Sequence, residues 1–159
     1  MSAWQRPTTA DIALRAFSSS PERLLVEAGL GMQDILISGS GRVSASNATR
    51  STGEWVIDRD SDASYERMLV RFLEEILFRC EVEEKWFVDG SVMISPEHIR
   101  IQVSWVDADL IEREIEIKAV TMHELTFSEI AEGELVTSEW TDIPDFQGPG
   151  WYCDVVFDI

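Results

Sequence analysis

The chain is poor in the residues on which the commoner chemistries depend. Its 159 residues include two cysteines, two histidines and 13 Lys or Arg against 30 Asp or Glu. Cys80 and Cys153 are too few for a disulfide framework, and their spacing is not that of a zinc site. Both lie among apolar residues and are expected to be buried thiols. With His98 and His123 as the only imidazoles, a tetrahedral zinc centre is disfavoured. No Gly-x-Ser-x-Gly occurs, neither cysteine sits in a reactive basic setting, and Gly39-Ser40-Gly41 lacks the Lys-Ser or Lys-Thr of a phosphate cradle. No apolar run approaches the roughly 18 residues of a membrane span. The stretch Met1 to Pro7 lacks the apolar core of a signal peptide, so a cytoplasmic protein without a membrane is expected.

The shortage of basic residues reaches furthest. A net charge of −17 repels phosphate backbones, which disfavours tight direct binding of nucleic acid. It suits cations, basic proteins or solubility instead. Oxygen ligands dominate, so any metal should be hard: Ca2+ first, Mg2+ or Mn2+ behind.

What is present is enough for a core: 45% hydrophobic and 9% aromatic residues, in a length expected to form a single domain over 1–159. Ala10 to Phe17 reads as a strand with Ile12, Leu14 and Ala16 facing inward and Asp11, Ala13 and Arg15 outward. Ser20-Pro21 is a helix start, and Leu24, Leu25, Ala28, Met32, Ile35 and Leu36 recur at helical spacing. Gly29 and Gly31 weaken that helix by about 1 kcal/mol each and suggest close packing. Ser38 to Gly53 reads as a loop, and Glu54 to Asp58 as a short strand. After the capping chemistry of Asp60 to Asp62, the residues Tyr65, Met68, Leu69, Phe72, Leu73, Ile76 and Leu77 give an unbroken helical stripe.

The remainder reads as strands: Trp86 to Ile94, Ile99 to Val106, Glu114 to Val120, Leu125 to Ile130 and Glu134 to Thr137. Pro144 to Gly150 is a loop before Trp151 to Ile159, which alternates with period 2. Early helices followed by clustered strands argue for an α+β fold, two helices on an antiparallel or mixed sheet. The final strand places Asp158 beside the terminal carboxylate of Ile159, and adjacent anions need Lys or Arg, water or a hard cation as partner. His98 reads as a surface residue of a hairpin, whereas His123 lies in a mixed polar patch that is a candidate for function.

Three stretches give the chain a family resemblance. Thr9-Ala10-Asp11-Ile12, Lys118-Ala119-Val120-Thr121-Met122-His123 and Phe157-Asp158-Ile159 resemble, in order, the His-Thr-Ala-Asp-Ile/Val strand, the Lys-Ala-Val-Thr-Tyr-His motif and the Phe-Asp-Ile/Val terminus of the archease family. The helix Met68 to Phe78 resembles that family's second helix. The resemblance implies a strand-helix-strand-strand module inserted in another, and a calcium-type metal site at Asp11, Asp158 and Ile159. It further implies a non-enzymatic accessory protein that promotes guanylylation and multiple turnover of a GTP-dependent, RtcB-type RNA-splicing ligase. Lys118, Thr121 and His123 are then the candidates for contact with the ligase. The chain departs from the family at Thr8 (His), Met122 (Tyr) and Arg71 (often a carboxylate). Two other classes compete. One is a metal-dependent hydrolase on Asp11, Asp154 and Asp158, against which the roughly 13 Å between Asp154 and Asp158 along a strand already counts. The other is an acidic interaction module without metal.

Overall fold

The computed structural model describes residues 2–6 and 11–159; Thr8, Thr9 and Ala10, which carry part of the first family stretch, lie outside the described residues. Along the chain come β1 (Ala3–Arg6), β2 (Ile12–Ser18), α1 (Pro21–Leu36), α2 (Gly39–Asn47), β3 (Ser51–Asp58), α3 (Tyr65–Glu83), β4 (Lys85–Ile94) and β5 (His98–Asp107). A single 3-10 turn (Ala108–Leu110), β6 (Ala119–Ile130), β7 (Leu135–Val136), β8 (Phe146–Gln147) and β9 (Gly150–Asp158) complete the fold.

The strands form a four-stranded sheet in the order β1-β2-β9-β6, a three-stranded sheet β3-β5-β4 and the small pair β7-β8. Every pairing is antiparallel. β3, α3, β4 and β5 make a strand-helix-strand-strand unit with its own sheet. It is inserted between α1 and β6 of a second such unit, β2, α1, β6 and β9. This is the α+β arrangement expected. The helices tie the units together, because α1 packs on β1, β2 and β9 and also on β4, while α3 packs on β6 as well as β3 and β4.

Local chemistry explains the helices. Ser20 caps α1 by accepting from the Arg23 N–H at 3.2 Å, with Pro21 in the first turn where its missing N–H does no harm. Of the expected face, Leu24, Leu25, Ala28, Met32 and Leu36 are buried and Ile35 is half-buried. The glycines do mark close packing: a Cβ on Gly29 would lie 2.7 Å from Ile76 Cδ1, and one on Gly31 2.6 Å from Ala3 Cβ. Of the expected stripe on α3, Met68, Leu69, Phe72, Leu73 and Ile76 are buried, Leu77 is half-buried and Tyr65 is exposed. Each large buried side chain contributes about 1.5–3 kcal/mol of burial. The cap of α3 is Ser64, accepting from Arg67 N–H at 3.3 Å, and not the acidic stretch before it.

Five expectations need correction. Pro144 to Gly150 is not all loop, because Phe146–Gln147 pairs as β8 with β7. Ser38 to Gly53 is not all loop: α2 forms there, giving a third helix, because Ser38 caps it and Gly41 lies flush on the backbone of Glu112. Tertiary contact overrides the weak propensity of Gly-Ser-Gly. Glu114 to Lys118 is not a strand; it runs extended, tied by Glu114 N–H to Leu36 O at 2.8 Å, with no ladder beside it. Leu125 to Ile130 is not separate from the preceding strand, for β6 runs from Ala119 through a bulge between Thr121 and Thr126. Finally, β2 and β9 are not half-exposed: Ala13 and Arg15, like Asp154 and Val156, are buried. The outer face of the sheet is covered there by the segment bearing β7, β8, Trp140 and Phe146.

Candidate metal and partner site

The site candidates converge because β9 is an inner strand. It lies between β2, where Ile12 faces Phe157, and β6, where Ala119 faces Asp158. The first ladder ends at the pair of Ile12 and Phe157, so Asp11, in the bend before β2, and Asp158, at the end of β9, are the residues next to its last rung. Both aspartates are exposed, and neither has an ion-pair partner among the described residues. Ile159, also exposed, follows at once.

The strand on the other side supplies the remaining candidates. Lys118 N–H donates to Asp158 O at 2.7 Å. Thr121 faces Val156 and its hydroxyl donates to Val156 O at 2.9 Å while accepting from His123 N–H at 3.3 Å. Between Thr121 and Thr126, β6 advances five residues while β9 advances two, so Met122, His123 and Glu124 stand out of the ladder. Glu124 takes the left-handed conformation, φ 53°, that lets the chain turn there. The His123 ring is 75% exposed, with Nε2 3.8 Å from Glu124 Oε1. All six candidates therefore gather at one end of the four-stranded sheet. His98, by contrast, sits at the turn end of the β4–β5 hairpin beside Asp58, at 3.4 Å.

Asp154 has a different task. Arg15 Nε and Nη2 each donate to one of its oxygens at 2.8 Å, and both side chains are about 10% exposed. The hydrogen bond to Asp154 outweighs burial and holds Arg15 firmly protonated. Arg6 approaches the same carboxylate at 3.8 Å, and Trp140 lies across both guanidinium groups, 4.7 Å from Arg6 and 5.1 Å from Arg15. A carboxylate engaged by two arginines is not free to ligate a metal, which removes the middle residue of the hydrolase reading. Reading the sequence alone missed this pair. The only signal was a basic residue and an acidic one on the outward faces of two strands, which the family resemblance alone implied to be neighbours.

The thiols are buried as expected. Burial pushes both upward in pKa, although Cys80, unlike the sequence reading, has a basic neighbour: Arg113 Nη1 donates to its sulfur at 2.8 Å. A second set of carboxylates, Glu84, Asp107 and Asp109, is grouped where α3 and β5 end, fully on the surface.

Comparison with known proteins supplies the context. No curated protein sequence matches. Among solved structures, the solution structure of Methanobacterium thermoautotrophicum protein 1598 matches with a TM-score of 0.60 at 16% identity, covering 99% of each chain. At that identity the likeness speaks for the fold. The sequence itself matches the profile of the Archease protein family (MTH1598/TM1083) over residues 5–159, from the first strand to the last. With nearly the whole length matched and the nested α+β topology in place, the chain belongs to the archease family.

Proposed function

We propose that the chain is a metal-binding accessory protein of a GTP-dependent, RtcB-type RNA-splicing ligase, promoting guanylylation and turnover without being a ligase itself. Family membership supports the accessory role. The observation that supports the metal reading is the register of β2 and β9, whose last pair, Ile12 with Phe157, leaves Asp11 and Asp158 as the next residue on each side. The donor set suits a hard cation: exposed carboxylate oxygens with no ion-pair partner among the described residues. Ca2+ fits best, since its six to eight oxygens and flexible geometry tolerate a site completed largely by water. Such an ion would offset repulsion between the carboxylates and join two strands from distant parts of the sequence.

The roles of the neighbouring residues follow from their positions. Thr121, bonded to the backbone of β9, holds the start of the protruding segment against the proposed site. His123, outside the ladder and exposed, is free to meet a partner. Lys118 is exposed one residue before β6, next to the paired end of β9, and would contribute a cation to the same contact.

The test is a ligase guanylylation assay at limiting metal with the wild-type chain, Asp158→Ala and Asp11→Asn. Both variants should lose stimulation, and both should lose the rise in melting temperature that added Ca2+ gives the wild type. A wild-type chain whose melting is indifferent to Ca2+ and EDTA would instead favour the metal-free interaction module. GTP and RNA turnover by the chain alone would favour an enzyme.

A further inference from the structure

Eight of the 13 basic side chains have a carboxylate within ion-pair distance, as an excess of acid makes easy. The five without one among the described residues are Arg50, Arg59, Arg67, Arg71 and Lys118. Three of these five, Arg59, Arg67 and Arg71, line one cavity of about 300 Å³ between the start of α3, the end of β3 and the start of β5. Asp60 is the sole carboxylate in its lining.

Stability does not account for this grouping. Arg67 and Arg71 are four apart on α3 and so lie on one face, where like charges repel. They also stand in the first two turns, nearest the positive end of the helix dipole. Arg59 is held in place by carbonyls alone, donating through Nη1 to Ser95 O at 3.2 Å and through Nη2 to Ala63 O at 3.3 Å. Those neutral acceptors orient the guanidinium and leave its charge uncompensated, with further N–H donors unused. Met68, Val70 and Ile99 give the cavity an apolar side, and Met122 of the protruding segment borders it.

We propose that this cavity binds a nucleoside polyphosphate, with the phosphate chain on Arg59, Arg67 and Arg71 and the base on the apolar side. Three guanidinium groups match the charge of a di- or triphosphate and its planar, bidentate demands. The volume lies at the small end of ligand sites, about 300–1,000 Å³. A polymer fits less well, because the remainder of a chain of net charge −17 repels an extended phosphate backbone. The site uses none of Asp11, Asp158 or Ile159, and it needs no ligase.

Calorimetric titration of the full chain with ATP, pyrophosphate and a 5′-phosphorylated RNA oligonucleotide tests the proposal. ATP should bind at least threefold more tightly than pyrophosphate. R67Q/R71Q should weaken it tenfold or more, while R50Q, an unpaired arginine outside the cavity, should change it less than twofold. Circular dichroism melting of each variant verifies the fold. No ATP binding at millimolar concentration, equal loss in R50Q, equal affinity for pyrophosphate, or tighter binding of the RNA would each overturn the proposal.

Discussion

Replacing Asp154 by Ala tests the structural account most sharply. The substitution leaves Arg15, about 10% exposed and donating two 2.8 Å bonds, without its anion in a space closed by Trp140. Arg6 loses the same carboxylate, though it keeps Glu124 at 3.7 Å. Removing one partner of a buried pair costs about 3–5 kcal/mol, because a desolvated charge is left behind. For a chain of this size, that is a fall in melting temperature of roughly 6–20 °C. Urea unfolding would show it as a shifted midpoint at constant slope. Arg15→Met combined with Asp154→Leu should recover much of the loss, since an apolar pair of similar volume needs no solvation. A loss below about 1 kcal/mol for Asp154→Ala, the size seen for exposed pairs, would refute the argument that the pair is effectively dry. The same variant separates two functional readings. At a temperature where it remains folded, calcium titration should match the wild type, whereas a metal site that includes Asp154 requires binding to fall.

Two further outcomes follow from packing and protonation. Gly41→Ala should destabilise by about 1–3 kcal/mol, because its Cβ would stand 2.4 Å from Glu112 O and force α2 off the chain beneath it; backbone amide exchange should rise first in residues 39–47. Burial raises the thiol pKa of Cys153, so the folded chain retains a proton that the unfolded chain releases. That contribution is fully present below the unfolded value of about 8.5 and declines as pH rises beyond it, so stability should fall between pH 8 and 10, and less so in Cys153→Ala after correction for its lower baseline. Thiol-reactive dye should label Cys153 in the native protein only at the rate of unfolding.

The elements that were legible in the sequence are those whose signal is local. Ser20-Pro21 and the stripe from Met68 to Ile76 announce α1 and α3 without help from the fold. The turn at Ser95 to Glu97 likewise identifies the β4–β5 hairpin. α2 was not legible, since its stability comes from Glu112 and Asp34, residues outside it that accept from Ser40 and Arg42. The false strand at Glu114 to Lys118 shows the reverse: alternation is present, with Ile117 buried, but no neighbour is placed to extend the ladder. At the candidate site, residue types pointed to Asp11 and Asp158, whereas their nearness depends on a strand pairing between residues about 145 positions apart. The arginine cavity was hidden because only the folded turn after β3 brings Arg59 back beside Arg67 and Arg71 of α3.

The position of β9 inside its sheet has a consequence for how the chain is made. Synthesised from its N-terminus, β2 emerges early and can pair only with β1, while the strand that covers its other edge is still more than 130 residues away. The inserted unit is under no such delay, since β3, α3, β4 and β5 are complete by Asp107 and can close their own sheet. The open edges of β2 and β6 thus wait as a template for one segment, and a ribosome stalled before residue 150 would hold a chain with its smaller sheet built and its larger one still in two pieces.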